Sequence, residues 1–182
     1  MNSPHAGVGG MLIERYQSTI ADRWRATHLR QNRGEIALVN PPFLFGHSTI
    51  FRKNLIIEAG LYHEKLKTNA EDVELSERLL RLGQSLYYEP KAVVEHLKRD
   101  SLISVAKTNW RYYFFGYFYD ITLRNYVINF RRNGVKRFAE ILALDLQKNL
   151  SLFPLSLGII LYCLIKDALY ILQNYGQKRL YD

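Results

Sequence analysis

The chain has 182 residues, 48% of them apolar, which suffices for one domain with an appendage and for a sizeable core. Its single cysteine, Cys163, excludes an internal disulfide and, lying in an apolar run, reads as a packing residue. A net charge of +8 points to an anionic partner; with no zinc-finger spacing and no aromatic RNA-binding signature, nucleic acid is set aside in favour of acidic lipid or a pyrophosphate.

The first ten residues are small and glycine-rich. No strand precedes Gly7-Val8-Gly9-Gly10, so the segment reads as a loop rather than a phosphate cradle. The start lacks a basic and an apolar region in succession, and no signal peptide is expected. Residues 11 to 31 read as an amphipathic helix with Ile13, Tyr16, Ile20 and Trp24 as its apolar stripe. Arg15, Arg23, Arg25 and Arg30 make its other faces basic and solvated, and His28 reads as a packed or surface histidine without companions at ligand spacing. Residues 32 to 42 form a loop. Residues 43 to 51 read as a buried strand interrupted at Gly46, where a ligand or another strand comes close. A short helix follows from Lys53 and ends at Gly60.

The polar segment 64 to 69 leads into the most informative stretch. Leu75, Leu79 and Leu82 recur at i, i+4 and i+7, and Gly83 stands just past them, so a helix is predicted from about residue 71. Asp72 falls about 60° from Leu75, at the margin of the buried face, in a first turn where the helix dipole favours negative charge. Thr68-x-x-Glu71 is a capping box, which makes these acids structural; a general base is the sharper alternative. Two short extended pieces follow, 86 to 88 and 92 to 94, divided by Pro90, and His96 ends the second. Leu97 to Asp100 is a basic connector.

Residues 101 to 130 are helical by pattern. Their aromatic block, 110 to 119, reads as core or helix packing, with a sugar-stacking platform or a membrane-interface belt as alternatives. Arg131, Arg132, Lys136 and Arg137 form a basic patch around an Asn133-Gly134 turn, and a short amphipathic helix covers 138 to 147. From Leu152 to Ile165 fourteen residues are uncharged, fewer than the roughly 20 that span a bilayer; counting on through Lys166-Asp167 to Leu172 makes the segment long enough. A spanning helix, an in-plane membrane segment and a buried helix all stay open. The flanking cations, Lys178 and Arg179 among them, favour a membrane surface.

Four pieces of this sequence, in order, resemble the second half of family 2 glycosyltransferases over roughly residues 7 to 100. They are Gly46-His47-Ser48-Thr49-Ile50-Phe51-Arg52-Lys53, then Ala59-Gly60-Leu61-Tyr62-His63-Glu64, then Glu71 through Leu79 with Gly83, and finally Leu86-Tyr87-Tyr88-Glu89-Pro90 with Val93-Val94-Glu95-His96. The segment Ala21 to Ala26 is also similar to a helix of bacterial members. The resemblance implies an α/β fold: an incomplete GT-A-like mixed sheet with flanking helices over 1–100, followed over 101–182 by a helical, membrane-associated region. It implies inverting transfer of a single sugar from a nucleotide-sugar donor to a lipid-linked or surface glycan acceptor, with Asp72 as the catalytic base. Gly46, His47 and Glu71 would face the acceptor. His96, Arg99 and Arg111 would lie near the donor diphosphate, with His96 also a ligand for a divalent metal, Mg or Mn. Asp-x-Asp, the family's metal motif, occurs nowhere in the 182 residues. Full activity is therefore expected to need an upstream segment, a separate subunit or a different donor site. Trp110-Arg111 stands without the Gln-x-x-Arg-Trp of processive synthases, which favours single-sugar transfer. The cytoplasmic face of the plasma membrane is the implied location. The rival reading is a catalytically incomplete remnant, or a module that binds membranes or partners.

Overall fold

The computed structural model describes residues 4–64, 66, 70–117 and 122–174. They form an α/β arrangement: a four-stranded mixed sheet with helices, followed by long C-terminal helices. The chain divides into two units, residues 1–15 with 30–98, and residues 16–29 with 99–182. The second unit thus takes in a stretch near the N-terminus that a linear division at residue 100 leaves with the first.

In the first unit the sheet order is β2-β4-β1-β3, with β1 at Gly7–Glu14, β2 at Leu38–Val39, β3 at Thr49–Phe51 and β4 at Leu86–His96. The glycine-rich start is no loop. It is a central strand, parallel to β4 and antiparallel to β3. Its glycines are small because neighbours occupy the space. A Cβ on Gly7 would lie 2.5 Å from the Phe51 ring, and one on Gly10 would lie 2.1 Å from the Ala92 carbonyl oxygen. Periodicity cannot reveal a strand whose inward side chains are supplied by other segments. The strand consumes Met11 to Glu14, so the predicted 11–31 helix is shorter, α1 at Ile20–His28, and Ile13 is an exposed strand residue.

Pro90 does not split β4 in two. The strand runs on, and the register against β1 shifts between Gly10 and Met11, so that Glu89 and Val93 pair with consecutive residues and Pro90 to Ala92 bulge out. Residues 43 to 51 are not one buried strand. Only Leu44 is buried; a 3-10 turn at Gly46–Ser48 intervenes before β3. Helix α2 is Lys53–Glu58 and α3 is Glu71–Arg81. Gly60 has φ +91 and Gly83 φ +75, both left-handed, as their positions at helix ends predict. Leu75 and Leu79 are buried beside Leu44, Leu86 and Ala6, but Leu82 is the C-cap residue and is 56% exposed, so the apolar stripe ends one turn early.

In the second unit the helices are α4 at Leu102–Tyr117, α5 at Leu123–Asn129, α6 at Val135–Lys148 and α7 at Phe153–Asn174. Asn133-Gly134 makes no turn; residues Phe130–Gly134 form a π-helical passage from α5 into α6. Gly134 is required there, since a Cβ would lie 2.8 Å from the Tyr113 hydroxyl oxygen and 2.9 Å from the Phe130 ring. The core gathers Trp24, Trp110, Tyr113, Phe114, Phe138, Ile159 and Cys163. Trp110, Tyr113 and Phe114 of the aromatic block therefore pack inside; Phe118 and Tyr119 lie outside the described residues.

Three buried polar clusters are built into this core. Arg25, expected on a solvated face, is 2% exposed and pairs through Nε with Asp100 Oδ2, while the Asp100 N–H donates to Asp22 Oδ1 at 2.7 Å. His28 Nε2 donates to Asp145 Oδ1 at 2.8 Å; Ser156 Oγ donates to Asp145 Oδ2 and accepts from Trp24 Nε1 at 2.7 Å. Asp167 accepts from Trp110 Nε1 and from the Tyr126 hydroxyl, each at 2.8 Å. Burial pushes the Asp167 carboxyl up to about 6, with these donors pulling the other way, and burial pushes the Cys163 thiol up to about 12.

Candidate functional site

In the first unit β1 and β4 run parallel and end together, Glu14 opposite His96. The carboxyl ends of parallel strands are where open α/β sheets take ligands, because the loops leaving them are free to carry chemistry. His96 Nδ1 faces both Glu14 oxygens, at 2.9 and 3.1 Å, and the Glu14 side chain is only 6% exposed. The carboxylate fixes Nδ1 as the protonated nitrogen, so Nε2 is the nitrogen left to accept or ligate.

Asp72 sits in the first turn of α3, half-buried. Its Oδ2 accepts from the Gly46 N–H at 2.9 Å and its Oδ1 from the Val73 N–H at 2.8 Å. The Asp72 side chain thus ties the helix start to the 3-10 turn. The predicted capping box depends on Thr68, which lies outside the described residues. The residue at the N-cap is Ala70, with φ +75 and no side-chain acceptor to offer. At Gly46, where a ligand or another strand is expected to come close, the neighbour is the Asp72 side chain. A Cβ on Gly46 would meet Asp72 at 3.5 Å, an ordinary contact, so this glycine is not sterically demanded.

His47 follows directly. Its ring stacks on Phe45 at 5.7 Å, and Phe45 meets Phe43 edge-on at 5.0 Å. Arg33 closes this row, 4.4 Å from the Phe43 ring, and donates to the Phe43 carbonyl oxygen at 2.8 Å. Burial holds the His47 ring below its ordinary 6.5; a hydrogen bond to the Gln31 backbone opposes this, the charge of His96 adds to it, and the charge of Asp72 opposes it. Gly46 and Asp72 are joined directly, with His47 next in the chain, while His96 stands with Glu14 at the strand ends.

Glu71 is half-buried at the first position of α3. Together with Asp72 it acts on Tyr62, whose hydroxyl is held above its usual range first by burial and then by these two carboxylates. Tyr62 is 43% exposed. It leaves a turn in which Gly60 and Leu61 are both left-handed, and Arg78 of α3 braces that turn by donating to the Ala59 and Leu61 carbonyl oxygens. Sequence reasoning passed over Tyr62, although it stands inside the Ala59 to Glu64 motif. It also missed Glu14, Gln31 and Arg33, for which no spacing signal existed.

The remaining residues proposed near a diphosphate belong to the second unit. The Arg99 guanidinium lies 4.2 Å from the Tyr16 ring centre, and Arg111 is exposed on α4. Among the described residues no three His, Cys, Asp or Glu side chains converge as a metal site. His96 with Glu14 supplies two groups and Asp72 is engaged by backbone donors, so these residues alone do not fit a divalent ion. No family model, no curated protein and no solved structure matches the chain.

Proposed function

We propose that this chain carries the acceptor side of an inverting family 2 glycosyltransferase with a GT-A-like sheet, and that Asp72 is its general base. The observation that carries the reading is the Asp72 carboxylate at the start of α3, bonded to the turn that carries Gly46 and His47. A carboxylate held in place by two backbone N–H groups adjoins Gly46, with His47 next in the chain and the Tyr62 hydroxyl within its field. Those residues offer a hydroxyl-bearing acceptor an imidazole, an aromatic face and a bare backbone segment. Asp72 takes the proton from an acceptor hydroxyl as that oxygen attacks the anomeric carbon of the donor. The bond from that carbon to the diphosphate breaks on the opposite face, the configuration inverts, and the nucleoside diphosphate leaves. The donor is a nucleotide-sugar, one sugar is transferred, and the acceptor is a lipid-linked or surface glycan at the cytoplasmic face of the membrane. Donor binding is assigned to a nucleotide-binding half outside these residues. The Mg or Mn ion implied by resemblance would need ligands from that half as well.

A second reading has its own support. Both Asp72 oxygens accept from backbone donors, which is what a purely structural latch would do. Asp72→Asn separates the two. Membranes from cells producing the full chain are supplied with each of a panel of radiolabelled nucleotide-sugars, and incorporation is compared with the variant. The expected loss is about 10²–10⁴-fold, with thermal unfolding little changed. Equal incorporation by the Asn variant would overturn the catalytic reading and leave the latch.

A further inference from the structure

Helix α7 presents two unlike faces. Ser156, Ile159, Cys163, Asp167 and Ile171 are buried, and the Asp167 bonds to Trp110 and Tyr126 pin the helix at one rotation. On the other side Leu157, Leu161, Leu164, Ile165, Leu169 and Leu172 are 37 to 79% exposed. At 100° per residue these six fall within an arc of about 140°, and from first to last they extend about 22 Å. Lys166 and Asp167 both fall outside that arc, so the stripe carries no charge along its whole length. Only 28% of the most apolar stretch is buried within the structure. Just before α7, Leu150 is 67% exposed and Leu146 60%, with Lys148 exposed between them.

Charge decides what covers this face. The second unit carries fourteen Lys and Arg against seven Asp and Glu, so it holds +7 of the chain's +8. Pairing the stripe with a second copy would bring two such cationic units together. A bilayer with anionic headgroups satisfies both features at once: acyl chains take the leucines, and headgroups take the lysines and arginines. The buried face argues against spanning. A helix that crosses a bilayer beside this bundle would carry Asp145, Asp167, Arg25 and Asp100 toward the hydrocarbon region, where ionisable groups are expensive.

We propose that the outward face of α7 is a docking surface for an anionic bilayer, on which the helix lies in the plane of the interface without crossing. This holds whether or not Asp72 is catalytic, because the two rest on different residues and are read by different assays.

The test is co-sedimentation of the full chain with vesicles of phosphatidylcholine alone and of phosphatidylcholine with phosphatidylglycerol. Binding to the anionic vesicles is expected to exceed binding to the neutral ones by about tenfold or more. Leu161→Lys with Leu169→Lys should lower partitioning by about 100-fold, with an unchanged far-ultraviolet circular dichroism spectrum. If that variant misfolds, Leu157→Ser with Leu172→Ser, near the two ends of the stripe, replaces it. Wild-type protein staying in solution with both vesicle types would overturn the proposal, and so would equal binding to the two types. Unchanged binding by a folded stripe variant would assign the contact to other residues. Resistance of the bound wild-type protein to alkaline carbonate would replace the in-plane helix with a spanning one. A wild-type dimer that the stripe variant abolishes, without vesicle binding, would give the face to a second copy.

Discussion

Asp145 offers the sharpest test of how the second unit is held together. It is fully buried, and its two oxygens accept from His28 Nε2 and Ser156 Oγ, while Ser156 accepts from Trp24 Nε1. These donors come from α1 and α7, so one carboxylate on α6 joins three helices. Asp145→Ala removes both acceptors and leaves the His28 ring and the Ser156 hydroxyl buried without them. Truncating one partner of a buried, hydrogen-bonded charge pair costs about 3–5 kcal/mol. In a chain of this size each kcal/mol moves the midpoint by roughly 2–4 °C, so unfolding should shift down by about 6–20 °C. Asp145→Asn keeps the shape and one acceptor oxygen and should cost about 1–3 kcal/mol. Thermal and urea unfolding followed at the helical circular dichroism band measures both. A double-mutant cycle with His28→Ala should return a coupling of about 1–3 kcal/mol. If Asp145→Ala costs less than about 1 kcal/mol, or if its effect simply adds to that of His28→Ala, the network does not carry the load assigned to it.

Two further outcomes are expected. His47 should titrate below its ordinary 6.5, followed by the ring proton shifts in two-dimensional NMR. The folded state then holds fewer protons than the unfolded one, so the His47 contribution is complete above the unfolded value and is lost as pH falls through and below it; His47→Gln should flatten that slope, and a ring titrating above 6.5 would refute the assignment. Gly10→Ala drives a methyl into the Ala92 carbonyl oxygen and should cost about 3 kcal/mol or more, whereas Gly46→Ala makes an ordinary contact with Asp72 and should stay within about 1 kcal/mol, both read by urea unfolding.

Some of this protein was legible in its sequence because the signals are local. The α3 helix follows from Leu75, Leu79 and Gly83, and the short α2 helix from the turn at Gly60. Asp72, Gly46 and His47 could be singled out because the motif around each is contiguous. Other features depended on distant segments. Gly7 to Gly10 became a central strand only because Phe51, Leu44 and Ala92 fill the room their missing side chains leave. Arg25 reads as one more surface cation until Asp100, 75 residues away, comes to meet it. Glu14 turns toward His96 only because β1 lies parallel to β4. The sequence by itself determined the bounds of α2 and α3 and the carboxylates of the first turn of α3, since propensity and periodicity act over a few residues. Only the tertiary structure decided which charges are buried, which face of α7 is left outward and which imidazole answers which carboxylate. Those outcomes are set by packing between segments far apart in the chain, and no local pattern encodes it.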